Sequence, residues 1–250
     1  MPSFLITGSS RGLGLTLVTE LLKDPENKVI ATARNTKAAE GLQTLAAKFP
    51  PDRLVLVDLD VSSQTSIEAA AAEVSRILPD GLDNLINNAG VNDQALVPFE
   101  QVDLEAFRKE IDFTLVGTIL VLRAFLPLVR KSRTKKVLQL SSVLGSIEQA
   151  AWTPGLTPTY SVAKAALNML IRKWGASLKS EAIITLLIHP GWIKATDIGY
   201  AIAPYMEKYV PNLKSISPEE AAAGVVQVLN DATLDVTGSF FNYDGTTIPW

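Results

Sequence analysis

The sequence predicts an α/β fold in which a doubly wound parallel sheet of about seven strands carries helices on both faces. Three observations lead there. Short β-rich runs alternate with longer helical segments almost to the C-terminus. Most of those runs are apolar throughout rather than alternating, as expected of strands covered on both faces. No repeat, low-complexity run or polar linker divides the 250 residues, which reads as one domain over 1–250.

The strands expected in order are Ser3–Thr7, Lys28–Ala33, Arg53–Asp58, Leu82–Asn87, Lys136–Leu140, Ile183–Ile188 and Ser239–Asn242. Helical patterns fall between them at Leu13–Lys23, Ala38–Lys48, Gln64–Leu78, Asp103–Lys131, Tyr160–Ser180 and Pro218–Asn230. The last opens on Ser217-Pro218 with Glu220 beyond, a capping box with proline at the first helical position. Residues 195–215 break the pattern with Gly199, Pro204 and Pro211 among three tyrosines, and read as a substrate-binding loop.

Composition narrows the function classes. The 23 basic and 26 acidic residues give a net charge of −3, without the basic footprint of a nucleic-acid binder. The absence of cysteine excludes disulfides and thiolate chemistry, and a single histidine, His189, excludes a histidine-rich metal cluster, so no metal is expected. The N-terminus has no basic region ahead of Phe4-Leu5-Ile6. The longest apolar run, Phe113–Leu122, is roughly half of the ~20 residues of a membrane span. A cytoplasmic protein with no membrane or nucleic-acid partner is the expectation.

Directly after the first strand stands Thr7-Gly8-Ser9-Ser10-Arg11-Gly12-Leu13-Gly14, followed by a helix. Glycines there let the backbone approach a ligand, and the helix start offers free N–H groups and a positive dipole end to a pyrophosphate. The spacing is Gly-x-x-x-Gly-x-Gly. With Asn87-Asn88-Ala89-Gly90 after the fourth strand and Tyr160-Ser161-Val162-Ala163-Lys164, the chain resembles the short-chain dehydrogenase/reductase family from Ser3 to Trp250. His189-Pro190-Gly191-Trp192-Ile193 and the tail Tyr243-Asp244-Gly245 with Ile248-Pro249-Trp250 resemble its carbonyl-reductase and fungal ketoreductase branch. The resemblance implies a single-domain Rossmann fold.

The second strand ends Ala31-Thr32-Ala33-Arg34, without the carboxylate that would bind a ribose 2′-hydroxyl. Arg34, with Arg11 converging from the glycine-rich turn, favours a 2′-phosphate and therefore NADP(H). The resemblance places Gly8, Ser10, Arg11, Gly12, Leu13 and Gly14 on the phosphates, Asp60 and Val61 on the adenine, and Asn88, Ala89 and Gly90 along the ribose. It places Pro190, Gly191, Ile193 and Thr196 on the nicotinamide side. The family's threonine position is Ala195 here, and Thr196 lies one residue further on.

Tyr160 and Lys164, four residues apart on a helix, share one face. A lysine ammonium stabilises phenolate and is expected to lower the tyrosine pKa. Ser142 follows the fifth strand, at the sheet edge where ligands bind, and can donate to a substrate carbonyl. The resemblance implies Ser142, Tyr160 and Lys164 as the catalytic set, with the last two also touching cofactor. Thr114 stands where the family carries an asparagine, keeping the backbone carbonyl but not the amide. The interval from Ser142 to Tyr160 carries an insert, Glu148–Thr159, expected to wall the pocket.

These readings point to an NADPH-dependent reductase of a ketone or aldehyde carbonyl. Trp152, Trp192, Tyr200 and Tyr205 suggest a bulky, flat substrate such as an aromatic polyketide-type ketone. A non-redox cyclase or dehydratase on the same fold, and a catalytically silent NADP(H)-binding sensor, are the competing readings. The long apolar helices at Asp103–Lys131 and Tyr160–Ser180 offer faces for a homodimer or homotetramer.

Overall fold

Seven apolar-rich runs become seven strands, buried most fully in the five central ones and partly exposed in the two that close the sheet's edges. They are β1 (Ser3–Ile6), β2 (Lys28–Ala33), β3 (Leu54–Asp58), β4 (Asn84–Asn87), β5 (Lys136–Leu140), β6 (Ile184–His189) and β7 (Ser239–Asn242) in the computed structural model, which describes residues 1–250. All pair in parallel, in the order β3-β2-β1-β4-β5-β6-β7. The sheet grows one way from β1 through β2 and the other way from β4, so the crevice between β1 and β4 is the topological switch point where such sheets bind ligands.

Alternation along the strands sorts the core into two layers. Leu5, Leu85, Val137 and Leu187 face one layer; Phe4, Ile6, Ile86, Leu138, Leu186 and Ile188 face the other. The first layer is closed by α3 (Gln64–Ile77), α5 (Gly117–Lys131) and α6 (Pro158–Leu178) through Val74, Phe125 and Leu167. The second is closed by α1 (Gly12–Leu21), α2 (Glu40–Ala46) and α9 (Pro218–Asp231) through Leu17, Leu42 and Val225. Ser217 caps α9 as its sequence predicts, accepting from the Glu220 N–H at 3.0 Å.

Two expectations are corrected. The segment Asp103–Lys131 is not one regular helix: α4 (Leu104–Ile111) passes through a wide π turn at Asp112–Val116 into α5. There Gly117 presses on the carbonyl of Val61, where a Cβ would stand 2.8 Å from the oxygen. Within the 28-residue stretch Leu104–Lys131 an 18-residue window reaches mean hydropathy 1.8, so the apolar part extends beyond Phe113–Leu122; Val121, Phe125 and Val129 bury its apolar face in the core. Residues 195–215 are not a plain loop either, since they form α7 (Asp197–Ala201) and α8 (Ala203–Tyr209). Thr196 caps α7, accepting from the Gly199 N–H while donating to the Ile193 carbonyl.

Candidate active site

The C-terminal ends of the strands open into a cavity of about 1010 Å³. One end lies on the glycine-rich turn. Gly8 has φ +71°, and a Cβ there would stand 2.9 Å from the Ala89 Cα. Asn88 braces this approach: its amide donates to the carbonyls of Thr7 and Gly8 at 2.9 and 3.0 Å, and the Thr7 hydroxyl accepts from the Asn88 and Ala89 N–H groups. The amide nitrogen of Asn88 is thus spent on the protein itself, and the residue lines the cavity.

Every residue expected around a dinucleotide lines this one cavity: the turn from Gly8 and Ser10 to Gly14, Arg34, Asp60, Val61, Asn88, Ala89 and Gly90, then Pro190, Gly191, Ile193 and Thr196. The carboxylate nearest the end of β2 is Asp58, in register with Ala33. It is turned away, accepting from the Thr36 N–H and hydroxyl at 2.8 and 2.7 Å, which hold it below the usual carboxylate range. Arg34 is exposed and makes no ion pair. Arg11 departs from expectation, since its guanidinium pairs with Asp197 at 2.8 Å, linking the turn to α7 across the cavity mouth. Both side chains are about three-quarters exposed (75% and 74%), so the pair is weak and leaves Arg11 available to an anion.

At the other end β5 and α6 bring Ser142, Tyr160 and Lys164 together. The Lys164 ammonium donates to the Leu140 carbonyl at 3.0 Å and lies 5.4 Å from the Tyr160 ring centroid. The Ser142 hydroxyl accepts from the Leu144 N–H, which leaves its own proton free, and it faces Tyr160 in the direction that favours phenolate. Ser141, by contrast, donates to Asn168, whose amide holds the Gly145 carbonyl. Proline at the start of α6 and Thr157 before it, at φ +45°, set the angle at which Tyr160 enters. Thr114 sits buried in the π turn.

The electrostatics correct one expectation. Burial pushes the Tyr160 phenol well above its ordinary value, outweighing the Ser142 hydroxyl that pulls it down. Desolvation also brings Lys164 down to about 8, against a neighbouring carboxylate, Glu110, that raises it. The lowered tyrosine pKa expected from Tyr-x-x-x-Lys is therefore absent, and Tyr160 is a protonated phenol at neutral pH. His189, brought down to about 4 by burial, is neutral.

The outer wall joins the 148–159 insert to α7 and α8. Leu156, Ile202 and Met206 form a small apolar cluster against Trp192, and the Trp192 indole donates to the Gly199 carbonyl at 3.0 Å. Trp152 and Trp192 line the cavity as expected; Tyr200 and Tyr205 do not. Tyr200 is 71% exposed on the outside of α7. Tyr205 ties the wall together instead, donating to the Pro154 carbonyl at 2.9 Å and packing on Tyr209. Sequence spacing missed Asn92, Asp93, Gln149 and Met206, which reach the cavity from a loop, an insert and a helix with no motif of their own.

A strand–glycine turn–helix and the Ser142/Tyr160/Lys164 group thus share one cavity at the open end of a doubly wound sheet. Residues 3–205 match the short chain dehydrogenase family, and the chain belongs to it. It is 33% identical to an uncharacterised oxidoreductase of Schizosaccharomyces pombe, covering 99% of this chain and 97% of that one. A short-chain dehydrogenase of Pyricularia oryzae is 32% identical, covering 98% and 97%. Among solved structures, the NADPH-bound carbonyl reductase from chicken fatty liver superposes with TM-score 0.87 at 31% identity, covering 100% and 99% of the two chains. The carbonyl reductase Sniffer of D. melanogaster gives 0.88 at 28%, covering both chains fully.

Proposed function

We propose that the protein is an NADPH-dependent carbonyl reductase that turns a bulky, apolar ketone or aldehyde into the alcohol. The observation that carries the reading is one cavity with Arg34 and the glycine-rich turn at one end and buried Ser142, Tyr160 and Lys164 at the other. The residues fit the cofactor: Gly8 keeps the backbone bare where a pyrophosphate would lie, the start of α1 offers N–H groups, and Arg34 has no competing carboxylate partner. NADP and NADPH are bound in structural relatives of this chain, from Burkholderia multivorans and chicken liver, and both support the choice.

When bound, NADPH supplies a hydride to the carbonyl carbon. As the C=O π bond breaks, negative charge grows on oxygen; the Ser142 hydroxyl donates a hydrogen bond to it and the Tyr160 phenol gives it a proton. The Tyr160 phenol carries its proton at neutral pH and is therefore in the form that can donate it. Lys164, as the ammonium, steadies the phenolate left behind. Trp152, Leu156, Trp192 and Met206 give the carbonyl's substituents an apolar wall. Ketones with flat ring systems of the aromatic polyketide type match that wall.

The test follows NADPH oxidation against aromatic and aliphatic ketones with wild type and Tyr160→Phe. Turnover that falls about 10²–10⁴-fold in the variant, with NADPH still bound, is the expected result. Product formed without NADPH consumption would replace the reading with a cyclase or dehydratase. Binding of NADPH with no turnover of any carbonyl would replace it with a sensor.

A further inference from the structure

Glu110 is the buried residue in the last turn of α4, a helix packed against α6. It is 2% exposed, and neither carboxylate oxygen has a hydrogen-bond partner. A carboxylate held this way costs stability, because it gives up water and receives no donor in exchange. Its own helix offers no compensation, since Arg108 and Lys109 are exposed and lie toward Glu105. From the segment after β4, Asp93 faces it with like charge. From α6, Lys164, Tyr160 and the Thr159 hydroxyl lie within electrostatic reach of it, none within hydrogen-bond distance. The one cation facing this carboxylate is Lys164.

The relation is reciprocal. Lys164 is buried, its ammonium has a single protein acceptor, the Leu140 carbonyl, and Glu110 is the carboxylate that favours its charged form. We propose that Glu110 is a positioning residue of the proton-transfer centre, a buried carboxylate that keeps Lys164 an ammonium beneath Tyr160. The proposal rests on the reading of Tyr160 as proton donor, for only a charged Lys164 steadies the phenolate. It also accounts for an unpaired buried acid on an otherwise apolar helix face.

The two groups titrate as a pair. Burial raises Glu110, and Asp93 adds to this, while Thr159 and Lys164 oppose it. Lys164 loses its proton near 8. Activity is therefore expected to fall at alkaline pH as Lys164 loses its proton, with the Glu110 charge setting how high that limb lies.

The experiment compares wild type with Glu110→Gln, which keeps the shape and removes the charge. Lys164 is followed by ¹³C NMR in protein labelled at lysine Cε, the resonance being assigned with Lys164→Met. The Lys164 midpoint is expected to fall by about one pH unit or more, a tenfold loss of proton affinity. The alkaline limb of kcat/KM should move down with it, while KM for NADPH at pH 6 stays as in wild type. A midpoint that does not move overturns the proposal, as does a fall in kcat that is uniform across pH. If Glu110→Gln does not fold, Glu110→Leu, which leaves no buried polar group to satisfy, serves instead; the Lys164 midpoint is again expected to fall, and a midpoint that stays in place overturns the proposal. Because the NMR titration needs no turnover, a moving midpoint in a protein that reduces no carbonyl would uphold the Glu110–Lys164 coupling and remove only the reductase reading.

Discussion

Arg34 and Arg11 stand in different states, and the difference orders their effects. Arg34 is exposed with no ion pair, whereas Arg11 already shares its charge with Asp197 in a weak exposed pair. Arg34→Ala is expected to weaken NADPH binding about 10–100-fold, the loss of a charge-assisted contact of about 1.5–3 kcal/mol, and to leave NADH binding unchanged. Fluorescence titration with both cofactors measures this, and equal losses for the two would remove the 2′-phosphate role. Ser142 makes a separate prediction. Its proton is free while its oxygen accepts from Leu144, so Ser142→Ala should lower kcat by about 10²–10³ with little change in NADPH affinity. A variant that changes only NADPH affinity would place Ser142 on the cofactor instead of the carbonyl.

Elements defined by continuous burial were legible to within a residue or two, because seven apolar runs separated by helical periods allow little else. The motif residues were legible for a related reason: Gly8, Tyr160 and Lys164 sit at fixed offsets from strand ends and a helix start. What escaped was set by contacts distant in sequence. The π turn at Asp112–Val116 arises beside Val61, some fifty residues earlier, and periodicity carries no sign of it. Tyr200 and Tyr205 were placed by residue type, yet the faces of α7 and α8 decide that one meets water and the other Pro154. Glu110 escaped for the same reason, an acid in an unremarkable helical stretch whose burial depends on α6. The glycine-rich turn offers the test at this scale. A Cβ at Gly14 would run into the Gly8 carbonyl and stand 2.6 Å from the Asn88 amide nitrogen. Gly14→Ala should break the brace between β1 and β4, lowering stability by about 1–3 kcal/mol and abolishing tight NADPH binding. Unchanged thermal unfolding with unchanged affinity would show that the turn relaxes freely.

Asp83 is where the sheet order is tied to the chain's acid response. It precedes β4 and accepts from the Ser3 N–H and hydroxyl at 2.8 and 2.9 Å and from the Ser132 hydroxyl at 2.5 Å. It therefore pins the start of β1 and the turn after α5 to the strand between them, at the end of the sheet opposite the cavity. Burial raises its proton affinity, but the hydrogen bonds from Ser132 and Ser3 outweigh it, and the folded pKa lies below the ordinary 3.8. A depressed carboxylate contributes stability that is fully present above the unfolded pKa and disappears as pH falls through the folded one. Glu110 has the opposite sign, its burial cost appearing as pH rises through a folded pKa above 4.5, so the two windows separate. Asp83→Asn should cost about 1–3 kcal/mol at pH 7, the penalty for donors left poorly matched. In urea unfolding at a series of pH values, the gap between wild type and variant should stay constant from pH 7 to 5 and close below pH 3.8. A gap that persists unchanged to pH 2 would mean that Asp83 holds the strands by shape alone, with its charge contributing nothing to their order.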